Sequence, residues 1–567
     1  MAPPAFLNRV APWGCYPSTS PTTNKDEEGV LLSLIEHESS IPTLHLLFYS
    51  ILAYIVYKLL LYPRFLSPLR SLPQPKGGYP ILGHSLSRFQ QPLGKTYLHF
   101  MNTVPNSGLI LFRDLFHTDH LLLTSPEALA ETLVRKPYHF DKPPEIRLFT
   151  SRILGGGLLT AAGVTHKMQR RHVVPSFTLR NTRRLAGLFW RKSEELVDGV
   201  KRDMEITVLG GAQGLSGDEE GTVVVDMNVW ATRSTLDVFG DAALGLELGL
   251  LRGCDHPIVR AYEGAFRSTP GKDLLFAGMA SHFRWVVDWI PWAVDKEFDD
   301  STAYLRQFCR EAIHRGRQRQ RGEQELKKER AQEQDDQPDL LSKMLASGKF
   351  TDDELVDQFL TFLAAGHETV AATFGWTIHL LASHPHIQTR VREELRFHAS
   401  RSGDQMAESL ESLPLLHGVC NEAIRLYPSV PITPRVATRE TSILNHAVPK
   451  DTRIMIAPCA INRSPHLWGS TADEFMPDRW IDAATGLVNK TGGAESLYAN
   501  LTFLHGAHGC IGADYAKVEL RAMVAAFVQA FEMDIRAEDQ GRVIVRGRLA
   551  TRPGDENGRL LIRLKAV

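Results

Sequence analysis

A single cysteine lies in a glycine-rich bend near the end of the chain, and a helical pattern follows it directly. The bend reads Phe503-Leu-His-Gly-Ala-His-Gly-Cys510-Ile-Gly, and the helical pattern covers residues 513–531. Glycines lack a Cβ, so a flat group can pack against the backbone there. Amide groups at the start of a helix stabilise a negative sulfur. The pattern favours a thiolate at Cys510 that a flat cofactor can reach; the alternative is a small, buried apolar residue.

The composition of the chain fits a large globular protein and gives no support for a nucleic-acid partner. The 567 residues carry a formal net charge of −1, and 43% of them are hydrophobic, which suffices for a large core. Length alone would suggest roughly three or four domains. No linker interrupts the region that holds the motifs, so we expect one large domain. The six cysteines form no CxxC pair and no disulfide-dense pattern, which favours a reducing compartment.

An apolar stretch at residues 41–62 is long enough to cross a bilayer, which takes about 20 helical residues. Acidic residues precede it and basic residues follow it, and positive flanks stay in the cytoplasm. We therefore expect a single-pass anchor with the C-terminal part in the cytosol; the alternative is a buried core helix. The predicted organisation is a short polar segment at 1–40, the transmembrane anchor at 41–62, a helix-free, proline-rich hinge at 63–78 and one large domain at 79–567.

Long helical patterns dominate the rest of the chain, and the strand-like pieces are short. The clearest helical patterns cover residues 168–203, 301–321, 351–383 and 513–531, and the strand-like pieces cover residues 108–112, 222–225 and 452–457. Thr351 and Glu354 form a capping-box pattern, which indicates where the third helix begins. These patterns predict a mainly α fold with small sheets.

A carboxylate and a hydroxyl follow the small, apolar middle of the helix predicted at 351–383. Gly366 costs roughly 1 kcal/mol relative to alanine within a helix, and the backbone can loosen at such a point and hold water. Glu368 and Thr369 then supply groups that pass protons. Two alternatives are ordinary polar residues on an exposed face and an HExxH zinc motif, which fails because Ala371 occupies the second histidine position.

Two further elements place arginines near a glutamate, between this helix and the cysteine bend. Glu422 and Arg425 are separated by three positions and share a helix face, where they can form an ion pair. Arg479 lies in a rigid segment with the sequence Phe-Met-Pro-Asp-Arg-Trp. The alternative is an exposed ion pair, which contributes less than about 1 kcal/mol.

These elements, in this order, resemble those of the cytochrome P-450 family. The bend is similar to the family's haem-binding signature, Phe-x-x-Gly-x-Arg-x-Cys-x-Gly, at Phe503, Gly506, Cys510 and Gly512, while His508 stands at the arginine position. The run Ala-Gly-His-Glu-Thr that ends at Thr369 resembles the distal-helix signature Ala/Gly-Gly-x-Asp/Glu-Thr. The ExxR and Phe-x-Pro-x-Arg elements also follow in the family's order. The matches extend from the anchor to the last helix.

The resemblance implies a role for each of these residues. Cys510 would be the axial ligand of the iron in haem b, Glu368 would relay protons and Thr369 would order the oxygen-bound water. By the same resemblance, the cofactor-binding positions are Phe503, Gly506, His508, Cys510, Gly512, His166, Arg170 and Arg435, with His166 in place of the usual tryptophan. Glu422, Arg425 and Arg479 would form a buried, structural charge network beneath the haem.

The resemblance also implies the fold and the reaction. The fold would be a triangular, mostly α domain with small sheets, and it would act as a haem-thiolate monooxygenase that inserts one atom of O2 into a lipophilic organic substrate. The sequence as a whole resembles fungal cytochrome P-450 proteins that act in secondary metabolism. Two alternatives stay open: desaturation or rearrangement without net oxygenation, and a haem-containing protein without catalysis.

The partners implied by the resemblance are a membrane and an electron donor. The donor would be NADPH-cytochrome P-450 reductase, with cytochrome b5 as an additional one, and the chain would lie in the endoplasmic reticulum membrane with its catalytic domain in the cytosol. Substrate access and recognition would involve residues 143–162 and 274–293. The basic residues expected to meet the reductase are Arg170, Arg171, Lys517 and Arg521.

Overall fold

The computed structural model describes most of the chain. The described residues are 43, 45–209, 221–266, 269, 271–272, 293–329, 339–397, 404–547 and 550–567. The predicted N-terminal segment 1–40 lies outside the described residues, and so does nearly all of the predicted substrate segment 274–293.

The chain divides into two units, residues 1–66 and residues 67–567. In the first unit, helix α1 covers His45–Leu66 and is long and apolar enough to cross a membrane. The boundary predicted between anchor and helix-free hinge is wrong, because the helix continues past Tyr62 through Pro63. Its last part, Tyr57–Leu66, is a π-helix. This wider turn accommodates a proline, which has no amide hydrogen to donate and whose ring crowds the preceding turn.

Helices form most of the second unit, as the sequence predicted. They are α2 (Lys95–Thr103), α3 (Pro126–Ala130), α4 (Pro144–Leu154), α5 (Gly163–Val173), α6 (Leu179–Arg184), α7 (Ala186–Leu209), α8 (Met227–Phe239), α9 (Pro257–Phe266), α10 (Ala293–Glu329), α11 (Leu340–Ser347), α12 (Asp352–Ser383), α13 (Pro385–Arg396), α14 (Asp404–Ser409), α15 (Pro414–Leu426), α16 (Pro458–Ile461), α17 (Pro465–Trp468) and α18 (Ala513–Ala530). The mainly α fold class is thereby confirmed.

The strands are short and form small sheets. They are β1 (Leu109–Arg113), β2 (Asp119–Leu123), β3 (Phe140–Asp141), β4 (Thr222–Asp226), β5 (Thr433–Ala437), β6 (Thr441–Ile443), β7 (His446–Val448), β8 (Arg453–Ile456), β9 (Phe531–Asp534), β10 (Ile544–Arg546), β11 (Arg552–Gly554) and β12 (Leu561–Ala566). The largest sheet has the order β1-β2-β8-β5-β3, and a second has the order β4-β12-β9. The pairs β6-β7 and β10-β11 are two-stranded ribbons.

One predicted helix is broken into three. The pattern at 168–203 suggested a single helix, but α5, α6 and α7 share this region. Pro175 stands in a 3-10 turn after α5, where it cannot donate an amide hydrogen bond. The hydroxyl of Thr178 then accepts from the amide of Asn181 and begins α6. The prediction followed apolar periodicity alone and missed these two local signals.

Helix α12 runs through the centre of the second unit. Its start is fixed by the predicted capping box, in which the amide of Thr351 donates to Glu354 Oε2 at 2.8 Å and the amide of Glu354 donates to Thr351 Oγ1 at 3.3 Å. The helix packs against α8, α10, α15 and α18. Most of its apolar side chains are buried among these neighbours, so it forms a rigid axis for the residues in its middle.

Candidate functional site

Backbone contacts define the shape of the cysteine bend. The amide of Cys510 donates to the carbonyl of Phe503 at 2.8 Å, and the amide of Gly509 donates to the carbonyl of Gly506 at 3.0 Å. Gly506 has a φ of +71°, and a Cβ there would lie 2.2 Å from the carbonyl oxygen of Leu133. Both the conformation and the space therefore require glycine at this position.

The sulfur of Cys510 is exposed, even though protein surrounds it on most sides. Burial raises the pKa of its thiol, and the amide of Gly512 and the charges of Arg170 and Lys517 oppose this rise. Arg170 also donates to the carbonyl of Gly509 at 2.7 Å. A Cβ on Gly512 would meet no heavy atom within 4 Å in the described part of the chain. The bend therefore borders an opening inside the protein.

A second opening lies beside the middle of α12. Ala365 is exposed, although Leu363 in the same turn is buried. A Cβ on Gly366 would have no heavy atom within 4 Å among the described residues. Ile511, next to Cys510, packs against the hydrophobic cluster that contains Leu363. The cysteine bend and the middle of α12 thus border the same hydrophobic cluster.

The expected loosening of α12 at Gly366 is wrong. The helix is continuously α-helical over Asp352–Ser383. The hydroxyl of Thr369 donates to the carbonyl of Ala365 at 2.7 Å, so the chain itself supplies a second donor to that carbonyl. The carbonyl of Thr369 in turn accepts from the hydroxyl of Ser429 at 3.0 Å.

The carboxylate of Glu368 is held by two side chains from other elements. Its Oε1 accepts from Nε of Arg552 at 3.1 Å and also from Nη2 of the same guanidinium. Its Oε2 accepts from the hydroxyl of Tyr262 at 3.2 Å. Burial is the largest single influence and raises the pKa of Glu368, but electrostatic interactions with Arg552 and His367 and the hydrogen bonds from Arg552 and Tyr262 together lower the pKa below its usual value. Glu368 is therefore ionised at neutral pH.

The two histidines that depart from the resembled signatures lie against each other. The rings of His166 and His508 are stacked with centroids 4.4 Å apart. The ring of Tyr138 meets His508 edge-on at 5.3 Å, and its hydroxyl lies 3.4 Å from Nδ1 of His166. Burial is the main cause that lowers the pKa of His166 to about 3 and that of His508 to about 4. Both rings are therefore neutral at neutral pH.

Positive side chains gather around this histidine pair. Lys142 and Arg170 are close enough to lower the pKa of both histidines, and Arg435 acts on His508. Burial, and then the charge of Arg435, lowers the pKa of Lys142 itself to about 7. A single carboxylate, Asp141, acts in the opposite direction on Lys142 and Arg435. The cluster therefore carries an excess of positive charge.

The guanidinium of Arg435 is buried and makes no ion pair with the described residues, although the charge of Asp141 partly offsets the effect of burial on its pKa. Its Nη1 donates to the hydroxyl of Thr433 at 2.7 Å and to the carbonyl of Pro434 at 2.8 Å. Burial lowers its pKa to about 10. The ring nitrogens of His508 make no well-aligned hydrogen bond within the described residues, although the backbone of Pro137 is close enough to raise the pKa of the ring. Buried polar groups normally have partners, so these donors indicate a site for an anionic ligand.

A separate ion-pair network surrounds Glu422. Its carboxylate accepts two hydrogen bonds from Arg425, both at 2.8 Å, and one from Nε of Arg479 at 2.8 Å. The indole of Trp480 donates to it at 2.9 Å and the amide of Met476 at 3.1 Å. The side chains of Glu422 and Arg425 are fully buried. The network joins α15 to the Phe-Met-Pro-Asp-Arg-Trp segment.

The first predicted access segment, 143–162, contains α4 and a glycine turn that is attached to α12. The amide of Gly156 donates to Asp357 Oδ2 at 2.7 Å. The other oxygen of Asp357 accepts from Arg306 of α10 at 3.0 Å. These contacts tie the turn to two long helices, while its role in access stays a prediction.

One of the basic residues predicted to meet an electron donor is not available for that contact. Arg521 is buried and forms an ion pair with Glu411. The pattern showed only that Arg521 follows the cysteine bend on a helix, and it could not show the face on which the side chain lies. Lys517 lies 5.2 Å above the ring of Phe503, and Arg171 is exposed.

Sequence patterns missed four residues at these two clusters: Arg552, Tyr262, Tyr138 and Lys142. Arg552 is 184 positions from Glu368 and Tyr262 is 106 positions from it, so neither shares a local pattern with it. The only signal near Tyr138 and Lys142 was their place just before the predicted access segment. Tertiary structure alone brings these groups together.

Comparison with known proteins agrees with this geometry. The family model for cytochrome P-450 matches residues 73–555. Cytochrome P-450 monooxygenase ptmK of Penicillium ochrochloron is 37% identical over 505 residues, which covers 88% of this chain and 94% of that protein. The corresponding monooxygenase sphH of Aspergillus fumigatus is 36% identical, covering 86% of this chain and 87% of its own.

A third relative extends the match. Cytochrome P-450 monooxygenase abl5 of Leptosphaeria maculans is 34% identical over 531 residues, which covers 91% of each chain. The mainly α fold with small sheets is the fold of this family, and its members bind haem b through a cysteine thiolate. The chain belongs to the cytochrome P-450 family and is a haem-dependent monooxygenase, an oxidoreductase that uses O2 and a redox partner.

Proposed function

We propose that Cys510 is the axial ligand of haem b and that the reaction takes place between the cysteine bend and the middle of α12. One observation carries this proposal. Cys510, at the cysteine position of the family signature, is exposed at the opening, and the amide of Gly512 and the charges of Arg170 and Lys517 oppose the rise in its pKa that burial causes. An ionised thiolate is the form that binds a metal.

The residues present fit the shape and charge of haem b. The open spaces at Gly366 and Gly512 leave room for a plane beside each element. Haem b carries two carboxylates, and the cluster of Lys142, Arg170 and Arg435 holds positive charge without an equal number of anions. We assign the propionates to this cluster, with the neutral ring of His508 as a further hydrogen-bond donor. We also assign Phe503, Gly506 and His166 to the protein surface that surrounds the haem.

Haem bound through a thiolate supplies the activation of O2. Around it, we assign proton handling to Thr369 and Glu368. The hydroxyl of Thr369 donates to the Ala365 carbonyl in this structure, and a rotation about χ1 would let it hold a water molecule instead. Glu368 is ionised and so can accept a proton and pass it on. Glu422 joins Arg425 and Arg479 in a buried network, to which we assign a structural role without a part in the chemistry.

The substrate is inferred to be a lipophilic organic molecule of fungal secondary metabolism. Phe362 on α12 belongs to the hydrophobic cluster against which Ile511, next to Cys510, also packs. Access through 143–162 and 274–293 is part of this proposal. The presence of both Glu368 and Thr369 favours oxygenation over rearrangement without net oxygenation, because oxygenation requires delivered protons.

We place the chain in the endoplasmic reticulum membrane, with α1 as its anchor and the large unit in the cytosol. The length and composition of α1 support this placement, and so do the basic residues that follow it. Electrons would come from NADPH-cytochrome P-450 reductase, with cytochrome b5 as an additional donor. Salt-resistant membrane association should disappear when residues 1–66 are removed, and association that survives would contradict α1 as the anchor.

A carbon monoxide difference spectrum tests the ligand assignment. The reduced full chain should give the red-shifted band of a thiolate-bound haem, and Cys510→Ser should lose that band while Cys254→Ser keeps it. Cys254 is a suitable control because it is exposed but belongs to none of the elements around the bend. A wild-type spectrum without the thiolate band would overturn the assignment.

A further inference from the structure

The C-terminal ribbon β10-β11 contacts Glu368 directly, and the residue before β11 is linked to Thr369 through Ser429. Arg552, the first residue of β11, forms the ion pair with Glu368. The preceding residue, Thr551, donates its amide to the carbonyl of Ser429 at 2.8 Å. The hydroxyl of Ser429 then donates to the carbonyl of Thr369 at 3.0 Å. Arg552 and the residue before it are therefore connected to two consecutive residues of α12, Thr369 only through Ser429.

We propose that Arg552 and Tyr262 are positioning residues that hold the Glu368 carboxylate, ionised and in one orientation, for proton transfer. The inference rests on the proposed function of Glu368 as the proton-relaying group. Arg552 binds one carboxylate oxygen through two nitrogens, and Tyr262 donates to the other oxygen at 3.2 Å. Both oxygens are thus occupied, which removes the rotational freedom of the side chain.

The groups that hold Glu368 are themselves fixed. Arg552 lies opposite Arg546 in the antiparallel ribbon. The neighbouring carbonyl of Pro553 accepts a hydrogen bond from the side-chain amide Nδ2 of Asn228 at 2.8 Å, which attaches the ribbon to α8. The ring of Tyr262 stacks on Phe266 with centroids 4.5 Å apart. A carboxylate with such rigid partners keeps one geometry, as proton transfer requires.

The charged and titratable groups around Glu368 come from each element that packs there. Arg552 approaches from β11 and Tyr262 from α9, where the neighbouring Glu263 also acts on Arg552. On α12 itself, His367 meets the Tyr262 ring edge-on at 4.5 Å. Its Nδ1 lies 2.6 Å from the hydroxyl of Thr235 on α8. Arg552 is the cation in this set at neutral pH, because burial lowers the pKa of His367 to about 3.

Removal of Arg552 should therefore change the protonation of Glu368. A buried carboxylate without its cation favours the neutral form, so its pKa would rise. Glu368 would then take up its proton at a higher pH than in the wild type, and the acidic limb of any reaction that needs the ionised carboxylate would move to higher pH. Loss of an arginine partner shifts a carboxyl pKa by about 1–3 pH units.

The test compares Arg552→Gln with Arg546→Gln in the full chain. Arg546 is a matched control because it lies directly opposite Arg552, and its Nε donates to the carbonyl of Asp555 at 3.2 Å. The first measurement is an infrared pH-difference spectrum. We expect the protonated carboxyl band of Glu368 to appear at a pH about 1–3 units higher in Arg552→Gln than in the wild type and in Arg546→Gln, and to be absent from the Arg552→Gln/Glu368→Gln double variant.

The second measurement uses the full chain reconstituted with NADPH-cytochrome P-450 reductase and no added substrate. Hydrogen peroxide released per NADPH consumed is recorded against pH. For Arg552→Gln the midpoint should move upward by about 1–3 pH units, Arg552→Lys should restore part of the shift, and Arg546→Gln should match the wild type. In a Glu368→Gln background, Arg552→Gln should have no further effect on the pH dependence, because Arg552 acts through that carboxylate.

The outcomes separate this inference from the proposed function. The positioning role would be overturned if the carboxyl band of Arg552→Gln appeared at the same pH as in the wild type and the pH midpoint of peroxide release were unchanged. If Arg552→Gln does not fold, Tyr262→Phe decides, because it removes one hydroxyl and should raise the midpoint in the same direction by a smaller amount; an unchanged midpoint would overturn the role. A wild-type protein without the thiolate band would defeat the proposed function, while the infrared measurement still tests the ion pair.

Discussion

Replacement of Glu422 by alanine should be among the most destabilising single changes in the second unit. The carboxylate accepts five hydrogen bonds from four residues, at distances from 2.8 to 3.1 Å. Without it, the fully buried guanidinium of Arg425 keeps only carbonyl acceptors, such as that of Asn462 at 2.7 Å. Breaking a buried ion pair by removing one partner costs about 3–5 kcal/mol.

A nearby exposed pair supplies the matched comparison. Arg463 and Asp473 are joined at 2.7 Å, but the Asp473 side chain is 64% exposed. Water replaces the lost partner of an exposed ion pair, so Asp473→Ala should cost no more than about 1 kcal/mol. The difference between the two variants is therefore about 2–5 kcal/mol, since the buried arginine has no such replacement.

The assay is urea denaturation of the full chain in detergent, followed by tryptophan fluorescence, with the free energy of unfolding taken from the midpoint and slope. Each 1.4 kcal/mol corresponds to about a tenfold change in the unfolding equilibrium. Glu422→Ala should also give a lower yield of thiolate-bound haem after expression. If the free energies of unfolding of the two variants differ by less than about 0.5 kcal/mol, the buried network stabilises the fold no more than an exposed ion pair does.

Three further outcomes follow from other parts of the structure. Thr369→Ala should release more hydrogen peroxide per NADPH in the reconstituted system, and an unchanged ratio would count against its assignment. Gly506→Ala should reduce haem incorporation strongly because the Cβ would meet the Leu133 carbonyl at 2.2 Å, whereas Gly486→Ala, also at positive φ but with nothing within 4 Å in the described residues, should have little effect. Acidification from pH 6.5 should destabilise the protein partly through His367: its folded pKa is about 3, so the unfolded chain takes up a proton that the native state does not. His367→Gln should reduce the slope of unfolding free energy against pH between about 4 and 6.5.

Local sequence patterns predicted the structural features that are determined by residues adjacent in sequence. The capping box at Thr351 and the helix after Gly512 were readable because their signals are adjacent in sequence. The break at Pro175 was missed because apolar periodicity was given more weight than the missing amide hydrogen, whereas the extension through Pro63 was missed because the proline was expected to end the helix. Such errors concern the ends of helices, where several small effects compete.

Long-range contacts could not be read in the same way. The pairing of Arg552 with Glu368 depends on how a C-terminal ribbon folds back against α12, and no periodicity encodes that placement. The contact between His166 and His508 was equally hidden, although each had been recognised as a departure from the resembled pattern. A pair of departures gains meaning only when the two residues are found in contact.

The position of β12 has a consequence for biosynthesis. This strand lies between β4 and β9 in its sheet, and both of those strands precede it in sequence. The sheet can therefore close only after residues 561–566 have been synthesised, so β4 lacks its partner while all the helices from α8 to α18 are made. Deletion of residues 561–566 would remove the central strand and leave β4 and β9 without a partner in this sheet.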